Sequence, residues 1–275
     1  MARYNWIDGN DFSIRHFYLM DRWLLAMIFE HNGNKKKEEV SEHTVTLATL
    51  LKRHEDLIYV IKKRAPEATQ GLDALLEHAD DALKGDVLRK REINLMEAME
   101  TDVIYMEPEI MASQANYITA WEEKHLHDLV DVTDKVVLDL GAGTGRLTFA
   151  AAPKAKRVYA SEPVDRLREY MRDKVKEQGI KNVKVQDGFV LDIPHEDDTF
   201  DVVMSGHVVG DHYEEEINEM IRVTKDGGMI VICNGDDDIK RKGPDKELTS
   251  RGFEAFYHES PIGGDIYNYT LKVNK

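Results

Sequence analysis

The sequence predicts an α/β fold. A doubly wound, mostly parallel sheet occupies residues 112–275, and an all-helical extension precedes it over 1–111. Three observations carry that prediction. Short β-branched runs alternate with helical patterns from about residue 132, as in a parallel sheet with helical crossovers. One run, Val136-Val137-Leu138-Asp139-Leu140, passes directly into the glycine-rich turn Gly141-Ala142-Gly143-Thr144-Gly145. The residues before it carry apolar stripes of helical period only.

In the extension, Phe17, Met20, Leu24 and Met27 or Ile28 share a helical face, and Asn32-Gly33-Asn34 ends that segment. Leu47, Leu50, Leu51, Leu57, Ile58 and Ile61 form a second stripe that stops before Pro66. A third carries Leu72, Leu75, Leu76, Ala79 and Leu83, with Gly85 as its C-cap. Asp86 then caps a fourth helix bearing Leu88, Leu95, Met96, Met99 and Val103. After Pro108 a fifth helix carries Met111, Ile118, Trp121, Leu126 and Leu129. Such stripes read as bundle packing. Lys52, Arg53, Lys62, Lys63 and Arg64 do not make a nucleic-acid reader, because acidic residues interrupt them and no basic recognition helix follows. The extension is expected to cap the ligand-binding end of the sheet.

Beyond Val136 the second strand is Arg157 to Ser161, followed by Glu162-Pro163 and a helix from Val164 to Gln178. Asn182 to Gln186 is a third strand ending in Asp187-Gly188. Phe200 to Ser205 is a fourth, and a helix from Glu214 to Val223 follows it. Asp226-Gly227-Gly228 turns into a fifth strand, Met229 to Cys233. Phe253 to His258 and Asp265 to Val273 read as a terminal hairpin across Gly263-Gly264.

Composition narrows the partners. A formal charge of −15 argues against binding to a phosphate backbone, which needs clustered Lys and Arg, so no nucleic-acid partner is expected. The lone cysteine, Cys233, excludes an internal disulfide and sits in an apolar run as a small hydrophobe. Asp8 and Asp11 occupy the place of a signal peptide's apolar stretch, and Trp23 to Phe29 is too short to span a bilayer. A cytoplasmic protein without membrane attachment is expected.

The glycine turn narrows the ligand. A dinucleotide fingerprint needs its third glycine where Arg146 stands, and a phosphate loop needs a Gly-Lys-Ser/Thr that is absent. What remains is E/D-x-G-x-G-x-G, and Asp139-Leu140-Gly141-Ala142-Gly143-Thr144-Gly145 matches it at each defining position. In these residues the chain resembles the class I S-adenosylmethionine (SAM) methyltransferases. The strand and helix order from about 112 to 275 is similar to theirs, in particular to the quinone-biosynthesis-type branch (methyltransferase type 11-like). The resemblance implies a Rossmann-like sheet of seven strands with an antiparallel last strand, and SAM as methyl donor.

It also implies roles for particular residues. Gly141, Ala142, Gly143, Thr144 and Gly145 would bring backbone close to the methionine tail, with Asp139 near its ammonium group. Glu162, about 20 residues past the first glycine, stands where an acid reaches a ribose diol, with Pro163 beside it; its alternative is a helix cap. Asp187, Gly188 and Phe189 fall where the family recognises adenine, although His195 replaces the usual aromatic in Asp187 to Pro194 and beyond. Ser205 ends the strand from which the methyl group should emerge. His207 follows as the candidate general base, with a hydrogen-bonded wall residue as the alternative. Asp211 and His212 are weaker candidates. Tyr117, one turn from Trp121, would wall the pocket or pack in the core. In His125-x-His127-Asp128 the two histidines, two residues apart on a helix, point to different faces, so no metal site is expected. The expected activity is methyl transfer to a small-molecule acceptor. The alternatives are a protein or peptide methyltransferase and a non-catalytic SAM-binding regulatory module.

Overall fold

The strand β1 (Val136–Leu140) is the pivot of the sheet, and its alternation explains why. Val137 packs on one face with Val158, Val202 and Val231, while Leu138 and Leu140 pack on the other with Val203 and Ile230. A strand apolar on both faces must lie inside a sheet covered on both sides. In the computed structural model, which describes residues 4–33 (the side chains of 30–33 aside), 40–236 and 239–275, that is its position.

The other strands are β2 (Arg157–Ser161), β3 (Val183–Gln186), β4 (Phe200–Ser205), β5 (Thr224–Ile232), β6 (Glu254–Glu259) and β7 (Asp265–Lys272). They form one seven-stranded sheet in the order β3-β2-β1-β4-β5-β7-β6. β1 to β5 run parallel, and β7 inserts antiparallel between β5 and β6. The order reverses on either side of β1, which makes the gap beyond β1 and β4 a topological switch point.

The chain divides into two units, Met1–Met111 and Ala112–Lys275. The first is built by α1 (Arg22–Gly33), α2 (Glu42–Lys52), α3 (Glu55–Arg64), α4 (Thr69–Leu76), α5 (Gly85–Ala98) and α6 (Glu100–Val103). Leu24, Leu51, Leu57, Ile61, Leu72 and Leu75 are fully buried in its core. Two buried acids pin its leading segment. Glu100 accepts from the backbone N–H groups of Tyr4 and Trp6, and Glu92 from that of Ile14 at 2.8 Å. The basic residues of α2 and α3 are engaged within the unit. Lys52 and Lys62 pair with Asp81 and Asp73, while Arg53 and Arg64 donate to backbone carbonyls of Leu83 and Met20.

Several element boundaries differ from the expectation. Phe17 lies in a 3-10 turn, Ile14–Leu19, separate from α1, and Met27 is on the exposed side. Asn34 lies outside the described residues. The second stripe is two helices, parted at Arg53-His54. Gly85 does not cap α4, which ends at Leu76. It opens α5 in a left-handed conformation, and Asp86 sits in the first turn, where its charge suits the helix N-terminus. Met99 interrupts the fourth stripe between α5 and α6. The fifth helix is instead three short ones, α7 (Pro108–Gln114), α8 (Asn116–Thr119) and α9 (Lys124–His127). Tyr117 is therefore on α8, Trp121 between α8 and α9, and His125 on α9.

The second unit adds α10 (Arg146–Ala151), α11 (Asp165–Glu177), α12 (Tyr213–Val223) and the short α13 (Lys246–Ser250). β5 starts earlier than expected, at Thr224. Asp226-Gly227-Gly228 is a bulge inside it, where the register against β4 jumps from Phe200↔Thr224 to Val202↔Met229. Gly227 takes φ +76 there, and the bulge is tied down by hydrogen bonds between Gly227, Gly228 and Val273. No described helix is long and apolar enough to cross a membrane.

Candidate functional site

The turn after β1 is shaped by backbone conformation. Gly141, Gly143 and Gly145 have φ of +61, +58 and +91, a region that side chains with a Cβ rarely enter. The constraint differs among them. A Cβ on Gly141 would meet Val208 Cγ2 at 2.4 Å, and one on Gly145 would meet the Phe149 ring at 2.4 Å. At Gly143 the nearest atom would be 4.0 Å away, so this glycine faces open space beside the carboxyl end of β1. Ala142 and Thr144 are buried between them, and the Ala142 N–H donates to the Ser161 carbonyl at 3.1 Å.

Glu162, directly after β2, closes this turn. It is 3% exposed; its Oε2 accepts from Gly143 N–H at 2.8 Å and its Oε1 from Val164 N–H at 2.9 Å. The carboxylate therefore braces the glycine turn and the residue that precedes α11 at once, which accords with the helix-cap alternative. Pro163 is half-buried next to it. Arg168 on α11 donates to the carbonyls of Glu162 and Pro163 and reaches Asp187 Oδ1 at 3.2 Å. That clamp holds the end of β2 against the end of β3. Gly188 is required there, since a Cβ would lie 2.2 Å from Ser161 Oγ, and Phe189 beyond it is exposed.

Asp139 has a different setting. It lies one residue before the end of β1, on the face covered by α10, and is 1% exposed. Thr148 Oγ1 donates to its Oδ2 at 2.6 Å. Burial raises its carboxyl to about 7, against the opposing effects of the Thr148 hydrogen bond and the Arg146 charge. The same helix sends the Arg146 guanidinium inward. It stacks on Trp121 at 4.6 Å and donates to the Cys233 carbonyl at 2.9 Å. A Cβ on Gly206 would lie 2.4 Å from Arg146 Nη2, so that glycine makes room for it. Cys233 is buried, and burial pushes its thiol up to about 11, which suits a packing residue and no nucleophile.

At the end of β4, Ser205 is fully buried, with its Oγ without a hydrogen-bond partner, as is Ser161 Oγ at the end of β2. Both align with Leu140 across the sheet. His207 is exposed and left-handed, with φ +60. Its Nε2 accepts from Gly235 N–H at 2.8 Å, its own N–H donates to Asn234 Oδ1 at 3.1 Å, and the Tyr117 ring stands edge-on at 5.4 Å. One ring nitrogen is thus committed to holding the segment after β5. His195 is packed edge-on against Tyr159 and Phe200, with Gln186 Nε2 at 2.6 Å from its Nε2, so it belongs to the sheet's packing.

The structure thus brings the glycine turn, Glu162, Pro163 and Ser161 together at the ends of β1 and β2, with Asp187 and Gly188 adjoining at β3. Ser205, His207 and Tyr117 gather at the ends of β4 and β5. Asp139 is apart, beneath the turn. Sequence reasoning missed Arg146, Arg168 and Ser161. Arg146 follows the last glycine directly, which was the available signal. It also missed a cluster: His125 is grouped with Asp236 and His258, while His127 and Asp128 stay out of it.

A family model described as a methyltransferase domain matches residues 137–228. A demethylmenaquinone methyltransferase of Lactococcus lactis is 28% identical over 159 residues, 55% of this chain and 60% of the relative. An uncharacterised methyltransferase of Geobacillus sp. (strain WCH70) is 30% identical over 168 residues, 58% of this chain and 72% of the relative. Among solved structures, a putative SAM-dependent methyltransferase of Methanococcus maripaludis superposes with a TM-score of 0.50 at 16% identity, over 62% of this chain and 94% of that one. The chain spans 60%, 52% and 51% of the length of three curated relatives it matches.

Proposed function

The chain belongs to the class I SAM-dependent methyltransferases, and on that premise we propose that it transfers a methyl group to a small-molecule acceptor, releasing S-adenosylhomocysteine. One observation carries the reading. At the switch point of the sheet, a buried carboxylate, Glu162, is bonded to the N–H of Gly143, the glycine that faces open space. The residues present fit the donor. A carboxylate suits this place because each of its oxygens can accept more than one hydrogen bond, as a ribose diol requires. Gly143 leaves room for a nucleoside to approach the main chain, and Asp187 with Gly188 and Phe189 borders the position of a base. When bound, SAM supplies an electrophilic methyl on a sulfonium.

The protein's part is orientation. Holding a nucleophile in line with that methyl supplies about 7–11 kcal/mol, more than the roughly 10²–10⁴-fold of a general base. His207 and Tyr117 bound the acceptor side; because Nε2 accepts from Gly235 N–H, the neutral ring carries its proton on Nδ1, and His207 acts as base through Nε2 once that bond is released. Two observations support a small acceptor: relatives named as demethylmenaquinone methyltransferases, and a charge of −15 that disfavours polyanions.

The test is calorimetry with SAM and S-adenosylhomocysteine, followed by product assay against a panel of phenolic, quinol and amine acceptors. Absence of binding to either nucleoside would overturn the cofactor assignment. Tight binding without product from any acceptor in the panel would overturn the small-molecule reading and favour the regulatory module.

A further inference from the structure

The cluster His125, Asp236 and His258 lies apart from the glycine turn and has no part in the reading above. Its members come from three separate segments. His125 is on α9, before β1; Asp236 follows β5; His258 is on the edge strand β6. One ligand atom from each lies within 4.8 Å of the other two. Asp236 is fully buried, while His125 and His258 are half-buried.

Internal hydrogen bonding leaves the cluster incomplete. His258 Nε2 meets Asp236 Oδ1 at 2.9 Å, and the His125 and His258 rings stack at 4.3 Å. Asp236 Oδ2 and His125 Nδ1 are both buried and have no hydrogen-bond partner. Buried polar atoms are nearly always satisfied, so two orphans on adjacent residues need an explanation. A cation supplies one, since both are lone-pair donors and neither needs to find a proton.

We propose that His125, Asp236 and His258 bind one divalent first-row metal ion, of which Zn²⁺ is the reference case. Two imidazole nitrogens and a carboxylate oxygen are a ligand set such ions favour. Ligand atoms about 2.0–2.2 Å from a shared tetrahedral Zn²⁺ lie roughly 3.4 Å apart, so closure from spacings of up to 4.8 Å needs side-chain shifts on the order of 1 Å. Three protein ligands leave at least one coordination position for water or another oxygen donor. The acidic chain favours cation capture. Asp236 adjoins Gly235, which bonds His207, so the ion would anchor the segment beside the β4 end.

The test is titration of the full chain, without an affinity tag and stripped by chelator, with Zn²⁺ and with Co²⁺. The expected result is one ion per chain and a visible Co²⁺ band. Loss of a direct ligand should weaken Zn²⁺ binding by at least the roughly 100-fold that loss of an outer partner can cost. That loss is expected in Asp236→Asn, His125→Gln and His258→Gln, and His127→Ala should leave the titration unchanged. Asp236→Asn preserves volume, and its circular dichroism separates lost ligation from lost folding. Should it fail to fold, the two glutamine variants carry the test. Substoichiometric binding, or Zn²⁺ affinity unchanged in the folded variants, would reduce the triad to a packed hydrogen-bond cluster.

Discussion

Asp139→Asn isolates the cost of keeping an acid beneath the ligand turn. The wild-type carboxyl is 1% exposed and titrates at about 7 in the folded chain, against an ordinary value of 3.8. Between those two values the folded state holds a proton that the unfolded state has lost, so stability falls as pH rises through that window. At about 1.4 kcal/mol per pH unit the difference is on the order of 4 kcal/mol, fully present above pH 7 and absent near pH 4. Asparagine fills the same volume, stays neutral, and can accept from Thr148 through its amide oxygen. The variant should therefore match wild type near pH 4 and exceed it at pH 8 by several kcal/mol. For a unit of this size that is about 10 °C in melting temperature. Scanning calorimetry of both proteins from pH 4.5 to 8.5 reads the gap directly. A difference in Tm that does not change with pH, or a variant less stable at pH 8, would refute the assignment of a buried, proton-holding carboxyl.

Glu162→Ala should weaken SAM binding by about 10²-fold or more, since two hydrogen bonds to a charged acceptor are worth roughly 1.5–3 kcal/mol each. It should also lower stability by releasing Gly143 and Val164; calorimetric affinity equal to wild type would remove the ribose role. Gly143→Val should abolish nucleoside binding, because it combines strain at φ +58 with a branched side chain in the open space, and retained affinity would move the ligand elsewhere. His207→Ala should lower turnover by roughly 10²-fold while sparing SAM affinity, and a pH–rate profile identical to wild type would leave the ring as a wall residue.

The parallel strands were legible because buried β-branched runs and glycine punctuation are local properties. β2 and β4 match their expected limits, and the turn at 141–145 and Glu162 meet as the spacing required. The missed boundaries have physical causes. The run after Pro108 keeps helical periodicity across Ala115 and Trp121, yet the chain breaks it twice, at 115 and at 120–123. Thr224 joins β5 because a bulge absorbs Asp226-Gly227-Gly228, which reads locally as a turn. In the site, Asp139 looked like a ligand-facing acid at a strand end. Alternation from Val137 instead turns it toward α10, where Thr148 receives it. His125 could not be matched to Asp236 and His258, since residues more than a hundred positions apart in sequence meet only through the sheet order β5-β7-β6.

The bracing of Gly143 and Val164 by a single carboxylate has a consequence for how the nucleoside arrives. The loop that must receive it is already fixed before encounter, so little chain entropy is lost on docking. Association should then approach the rate of collision between small molecule and rigid cleft, with affinity differences among nucleoside analogues appearing in how fast they leave.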